Sequence, residues 1–241
     1  MIQRRTLLTH SMVGGLAGMV VPPSGRARTG IVADTPAAQA ATPKGRLVRH
    51  AIPKPGPMVP PVPAILTSVH GKPGEPDELA VLWTFVVNGD PGQVGVAAGD
   101  EHIAGGLIAL HGQFVLNVPT ASMIHPFDVL DFHSSASGDK YAMSGLTRGV
   151  ATKVDAPTVV EAPIQLECRV THTLRVPPSR TVFIADVVAT TVVEGICDAD
   201  GRLRPDSAAF FGMMAGCGEF WTMERKVGHI GQSVGRDDIR Y

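Results

Sequence analysis

QVGVAAGDEHIAGGLIALHGQFVLNVP, residues 93–119, reads as a strand, a short helix and a second strand with almost no slack between them. Residues 93–99 are small and β-compatible and break at Gly99-Asp100, while in residues 113–119 Phe114, Leu116 and Val118 fall on one face at the strand period. The stretch between is helical. Asp100 or Glu101 is placed to cap it, Ile103, Leu107, Ile108 and Leu110 supply its apolar side, and Gly112 is placed to end it. The unpaired N–H groups of a turn and a helix start therefore gather around residues 100–104, at the end of a sheet. Such groups favour a phosphate or another anion. The two acidic residues there argue the other way, and an ordinary β-α-β connection explains the pattern equally.

Outward from this stretch, the whole chain sets limits. With 241 residues, 27 Gly, 20 Pro and 18% charged residues, it suits one sizeable domain with a core, plus tails. A net charge of −1 offers no basic field, which argues against nucleic-acid partners. Cys168, Cys197 and Cys217 form no Cys-x-x-Cys pair and cannot all pair with one another, so neither a zinc knuckle nor a disulfide framework is indicated, and Cys168 reads as a buried thiol.

The first forty residues read as an address. Arg4-Arg5 precedes a weakly apolar stretch, residues 7–21, that is too short to span a bilayer, and Ala38-Gln39-Ala40 offers a small-x-small cleavage site. The stretch resembles a bacterial twin-arginine export signal, which implies an exported, periplasmic protein without a membrane span. Residues 41–60 have a linker's Pro- and Ala-rich composition, leaving 61–241 as the folded domain.

That domain reads as mainly β. Strands are expected at 64–70, 79–88 and 93–99, and a long hairpin at 164–176 and 181–194 around Pro177-Pro178-Ser179. Helical stretches are few: 103–111, part of 125–133, and 205–214. Many strands with small helices inserted predict a closed β barrel instead of a doubly wound sheet.

No Gly-x-Gly-x-x-Gly follows a strand and no Walker loop is present, so nucleotide sites of those types are unsupported. Ser137-Gly138-Asp139-Lys140 matches the Ser-x-x-Lys spacing of acyl-serine enzymes, but the partner motifs of that class are missing from the mature region. His125, Asp128, Asp131 and His133 form the densest group of metal-ligand types. On a straight helix they fan around most of the circumference, so no metal site is expected; His125 before Pro126 reads as a helix start, with Asp128 in the first turn.

Six landmarks carry a resemblance: PVPAILTSV (61–69), LAVLWTFVVN (79–88), QFVLNVP (113–119), SGDKYAMSGLT (137–147), VDAPTVVEAPIQLECRV (154–170) and FIADVVATTVVEG (183–195). Together they resemble the flavin reductase-like family, the FMN-binding split barrels that include flavoredoxins. The tail GRLRPDSAAFFGMMAGCGEFW (201–221) resembles the family's closing segment. The resemblance implies a Greek-key split β-barrel with a few short helices, and FMN held at the interface of a homodimer. It implies that the ring lies against Leu82, Trp83 and Thr84. It places the phosphate by Ala97, Ala98, His102 and Ala104, with Lys140 as a nearby cation. Two positions depart from the family: Leu82 and Ala104 stand where many members carry hydroxyls, so two side-chain donors are missing. The function implied is an exported FMN-dependent oxidoreductase or electron carrier, with its electron-transfer partner or small-molecule substrate unnamed. The alternatives are a non-redox ligand-binding barrel with weakened flavin binding and, more remotely, the Ser-x-x-Lys acyl enzyme.

Overall fold

The computed structural model describes residues 49–133, 138–223 and 225–236. The chain divides after Ile52; of the first unit only residues 49–52 are described, exposed and without regular structure. The twin-arginine stretch, its cleavage site and Ser137 lie outside the described residues.

The second unit carries twelve described strands: β1 (Val62–Pro63), β2 (Leu66–Val69), β3 (Glu78–Val81), β4 (Trp83–Asn88), β5 (Gln93–Gly99), β6 (Gln113–Val118), β7 (Arg148–Val150), β8 (Pro157–Val159), β9 (Ile164–Val176), β10 (Arg180–Val192), β11 (Phe211–Met214) and β12 (Glu219–Thr222). Helices α1 (Ile103–His111), α2 (Ile124–Phe132) and α3 (Lys140–Ser144) are inserted among them. Seven strands form one antiparallel sheet in the order β3-β2-β6-β9-β10-β5-β4. Leu82 alone separates its two edge strands. Laid flat, a seven-stranded sheet would hold its edges about 29 Å apart. One intervening residue spans about 7.6 Å at most. The sheet must therefore curl until β3 and β4 become two halves of one split strand, which is the split barrel that the resemblance implies. β5 and β6 are separated by β9 and β10, so the α1 connection crosses from one side of the barrel to the other.

Because its signals are local, the strand-helix-strand reading of residues 93–119 matches β5, α1 and β6, except that β6 stops at Val118, one residue before Pro119. Gly112, in the left-handed region (φ 65°), closes α1 by donating to Ile108 O. Its start differs from expectation. The N-cap is His102 and no side chain caps it. Asp100 instead forms a two-toothed ion pair with Arg175, on the β9–β10 hairpin, and Glu101 Oε1 lies 3.5 Å from His102 Nε2. A charged, two-bond partner outcompetes a single helix N–H for the carboxylate. At Gly105 a Cβ would stand 2.9 Å from Ala98 Cβ, so glycine lets α1 press against β5.

The helix expected at 205–214 is not formed. Residues 211–214 are β11, paired with β1 and β12 in a small second sheet. Gly212 lies so close to β1 that a Cβ would reach 2.9 Å from Pro61 Cβ, and long-range pairing overrides the local helical signal. Asp128 sits one position beyond the first turn of α2, which begins at Ile124 after a 3-10 turn at Ala121–Met123.

Two large apolar clusters, with a small third one of Val115, Val154 and Ala156, hold the unit together. One fills the barrel, where Val96, Phe114, Leu116 and Phe183 meet Leu107 and Ile108 of α1. The other lies outside β2 and β3, where Leu66 and Leu79 pack on Phe127 and Leu130 of α2, Tyr141 of α3 and Phe211 of β11. Cys168 is fully buried, and burial together with the Glu167 charge pushes its thiol up to about 12, which leaves it unreactive. Glu167, on β9 and 1% exposed, has its carboxylate wrapped by the loop before β8. It accepts from Thr152 N (2.9 Å), Thr152 Oγ1 (2.8 Å), Val154 N (3.1 Å) and Lys153 N. No described helix is long and apolar enough to cross a membrane.

Candidate functional site

The break between β3 and β4 decides which residues can meet a ligand. Successive side chains of a strand alternate between faces. Leu82 is therefore turned into the barrel (3% exposed) and Trp83 out of it (41% exposed). Thr84 turns in again, its hydroxyl donating to Leu82 O at 3.1 Å. On β5, Ala97 pairs with Trp83 and stays partly open, while Ala98 belongs to the core. Ala104 is wholly buried on the inner face of α1. The two departures, Leu82 and Ala104, are thus core positions, where a hydroxyl would need a buried partner.

Leu82, Trp83, Ala97 and His102 line one cleft of about 140 Å³. Its far wall comes from elements that spacing alone did not link to them: Phe127 and Asp131 of α2, Arg180 of β10, and Met213 and Phe220 of the small sheet. Phe127, Phe211 and Phe220 meet edge to face with centroids 5.4 to 5.7 Å apart, which ties that sheet to α2. Ala98 lies instead along a separate groove beside Gly105 and Gly106, which His102 also borders.

Lys140 is placed elsewhere. It lines an adjoining cleft of about 280 Å³ with Glu78, Asp131 and His102. The side chain is 3% exposed, and Nζ donates to Leu130 O at 3.1 Å and to His133 O, carbonyls at the C-terminal end of α2. Burial pushes its pKa down, opposed by the charges of Glu78 and Asp131. A cation there completes a helix terminus. His125, Asp128 and Asp131 remain spread around α2, His133 Nδ1 bonds Val129 O at 2.8 Å, and no group of three metal-ligand types is gathered among the described residues.

His102 is common to both clefts. The Trp83 cleft is thus an apolar slot with a flat aromatic side, a low floor at Ala97 and three ionisable side chains, His102, Arg180 and Asp131. Such a lining suits a planar, partly polar ligand. Arg180, Phe127 and Phe220 were not legible as site residues. Arg180 reaches the cleft only because β10 pairs with β5 some eighty positions earlier in the chain.

Residues 59–205 match the family described as "Flavin reductase like domain". An uncharacterized protein of Pyrococcus abyssi is 28% identical over 163 residues, covering 68% of this chain and 90% of that protein. Among solved structures, flavoredoxin of Desulfovibrio vulgaris (Miyazaki F) superposes with a TM-score of 0.70 at 19% identity, covering 76% of this chain and 97% of that one. An FMN-binding protein of Thermus thermophilus, solved with 1-cyclohex-2-enone bound, gives a TM-score of 0.60 at 20% identity over 74% of this chain and 96% of its own. At these identities the structural likeness speaks for the fold.

Proposed function

We propose, since the chain belongs to the flavin reductase-like family, that it is an FMN-binding oxidoreductase or electron carrier whose flavin ring lies in the Trp83 cleft. The observation that carries this reading is the exposed Trp83 ring beside the low Ala97 floor, at the split of the barrel, with His102 and Arg180 within the same cleft. FMN, when bound, supplies reversible one- and two-electron transfer. Trp83 would lie along the ring, Ala97 would admit it close to the backbone of β5, and Phe127, Met213 and Phe220 would keep water from its apolar side. The N-terminus of α1, which no side chain caps, offers the N–H groups of Ile103 and Ala104 to the phosphate, that of His102 being donated to Gly99 O at 3.0 Å.

The cleft also argues for a second copy of the chain. Sites that bury ligands of this size run to about 300–1,000 Å³, well above the 140 Å³ found here. Beside it, the edge strand β4 leaves Trp83, Phe85, Val86 and Val87 exposed, an apolar edge that soluble proteins cover. We infer a homodimer in which the partner completes the flavin site and buries well over about 1,000 Å². Sedimentation of the purified protein, followed at the visible flavin band, should show a yellow species of twice the chain mass. A yellow monomer at micromolar concentration contradicts the dimer; a colourless dimer that takes up no added FMN contradicts the flavin.

A non-redox binding barrel is the second reading, favoured by the buried apolar side chains at Leu82 and Ala104 and by the engagement of Lys140 with α2. The acyl-enzyme reading loses its base for the same reason, since Lys140 Nζ already donates to two carbonyls. Export rests on Arg4-Arg5; changing both to Lys should leave uncleaved protein in the cytoplasm, and normal export of that variant would end this part of the proposal.

A further inference from the structure

Asp131 stands one helical turn beyond Phe127 on α2, and side chains four apart on a helix share a side. Phe127 anchors that side against the small sheet. Asp131 is thereby carried to the Trp83 cleft, where it joins a wall of Phe127, Met213 and Phe220. Like His102, it also lines the adjoining cleft of about 280 Å³, so it belongs to the boundary between the two. Its outer edge stays exposed at the rim, within reach of water.

Asp100 is held by Arg175 and Glu101 lies beside His102, whereas Asp131 makes no side-chain hydrogen bond or ion pair with any described residue. The charges facing it are mixed. Asp128 repels it from its own helix, while His102 before α1 and Lys140 of α3 attract it. Arg180 of β10 shares the Trp83 cleft, and Glu78, Glu101 and His133 line the other. Burial first, and then the Asp128 charge, push its pKa above the usual carboxylate value, with His102 and Lys140 opposing. A carboxyl that no N–H group stabilises, set against aromatic side chains and a like charge, is one that a further negative charge nearby can protonate.

We propose that Asp131 takes up a proton when the flavin beside it is reduced, so that two electrons enter the cleft together with two protons. The assignment rests on the flavin reading above. Two-electron reduction with a single proton leaves the ring system negatively charged, in the cleft that Asp131 lines. With dithionite as the electron donor, the balance is two electrons and one proton to the ring and one proton from water to the Asp131 carboxylate. The net charge in the cleft is then the same before and after. Asp131 holds the proton; it carries no electrons.

The test measures the midpoint reduction potential of bound FMN against pH, by spectroelectrochemical titration, in the wild-type protein, Asp131→Asn and Asp131→Glu. An ionised Asp131 disfavours reduction of its neighbour and a protonated one does not. The potential of Asp131→Asn should therefore lie above that of the wild type in alkaline solution, and the two should converge in acid. Between those limits the wild-type potential should change more steeply, by one extra proton per two electrons, or about 30 mV per pH unit. Asp131→Glu, which keeps a carboxyl, should retain the pH-dependent gap to Asp131→Asn. A gap between wild type and Asp131→Asn that is constant or zero at every pH would overturn the assignment while leaving the flavin reading intact. Loss of FMN from Asp131→Asn would make Asp131 a binding residue and overturn it as well. A wild type that takes up no FMN would overturn both.

Discussion

Phe127→Ala should destabilise the folded domain by about 3–5 kcal/mol, the usual cost of emptying a buried phenylalanine site. Phe127 is 1% exposed and stands between two rings, 5.5 Å from Phe211 and 5.4 Å from Phe220. Its removal deletes two edge-to-face contacts, each about 0.5–1.5 kcal/mol beyond area burial, and leaves a cavity between α2 and the small sheet. The loss should appear in the denaturant midpoint with an unchanged slope, and Phe127→Leu should recover most of it, since leucine refills part of the volume. The variant should also bind flavin more weakly, because Phe127 and Phe220 both wall the Trp83 cleft. A loss under about 1 kcal/mol, far below the usual range for such a site, would show that the three rings do not hold the small sheet.

Glu167→Gln should cost about 2–4 kcal/mol, for a different reason. Burial alone would raise this carboxyl, but the hydrogen bonds from Thr152, Lys153 and Val154 outweigh burial and hold it below the usual carboxylate range. Glutamine keeps the shape and turns an NH₂ toward backbone N–H donors, so at least one buried donor loses its acceptor, at about 1–3 kcal/mol for each group left unpaired. The sign of the pH dependence follows from the lowered pKa. The carboxylate's contribution is fully present above the unfolded value of about 4.5 and disappears as pH falls through the lower folded value. The stability gap between wild type and Glu167→Gln should therefore be largest near neutrality and shrink in acid. A gap that stays constant from neutral to acid pH would mean that the charge does not act in the fold.

How much was legible follows the range over which each signal acts. Residues 93–119 carry their own strand alternation, helix stripe and closing glycine, and the observed elements match. The barrel was likewise legible from many strands joined by turns. The split at Leu82 was not: LAVLWTFVVN is one β-prone run, and only closure of the sheet decides that Leu82 turns inward and that the strand serves both edges. Residues 205–214 went wrong because β11 owes its existence to β1, some 150 positions earlier, and to a glycine that permits their approach. Asp100 was misread as a helix cap because its partner, Arg175, comes from a distant hairpin. Among the implied site residues, Leu82, Trp83, Ala97 and His102 share one cleft, whereas Lys140 lies in the next one and is occupied by α2. Arg180 escaped notice because nothing in its neighbourhood, RVPPSRTVF, marks it apart from an ordinary hairpin arginine.

The central claim, that a flavin ring lies against Trp83, can be read directly from that indole. The chain has two tryptophans, and Trp221 sits exposed on β12, so a Trp221→Phe background leaves Trp83 as the sole reporter. Titrated with FMN, this protein should lose its indole emission in a saturable curve with an end point of one flavin per chain, because a stacked ring quenches the fluorophore that it covers. Unchanged Trp83 emission up to tens of micromolar FMN, in protein that remains folded, would contradict the account.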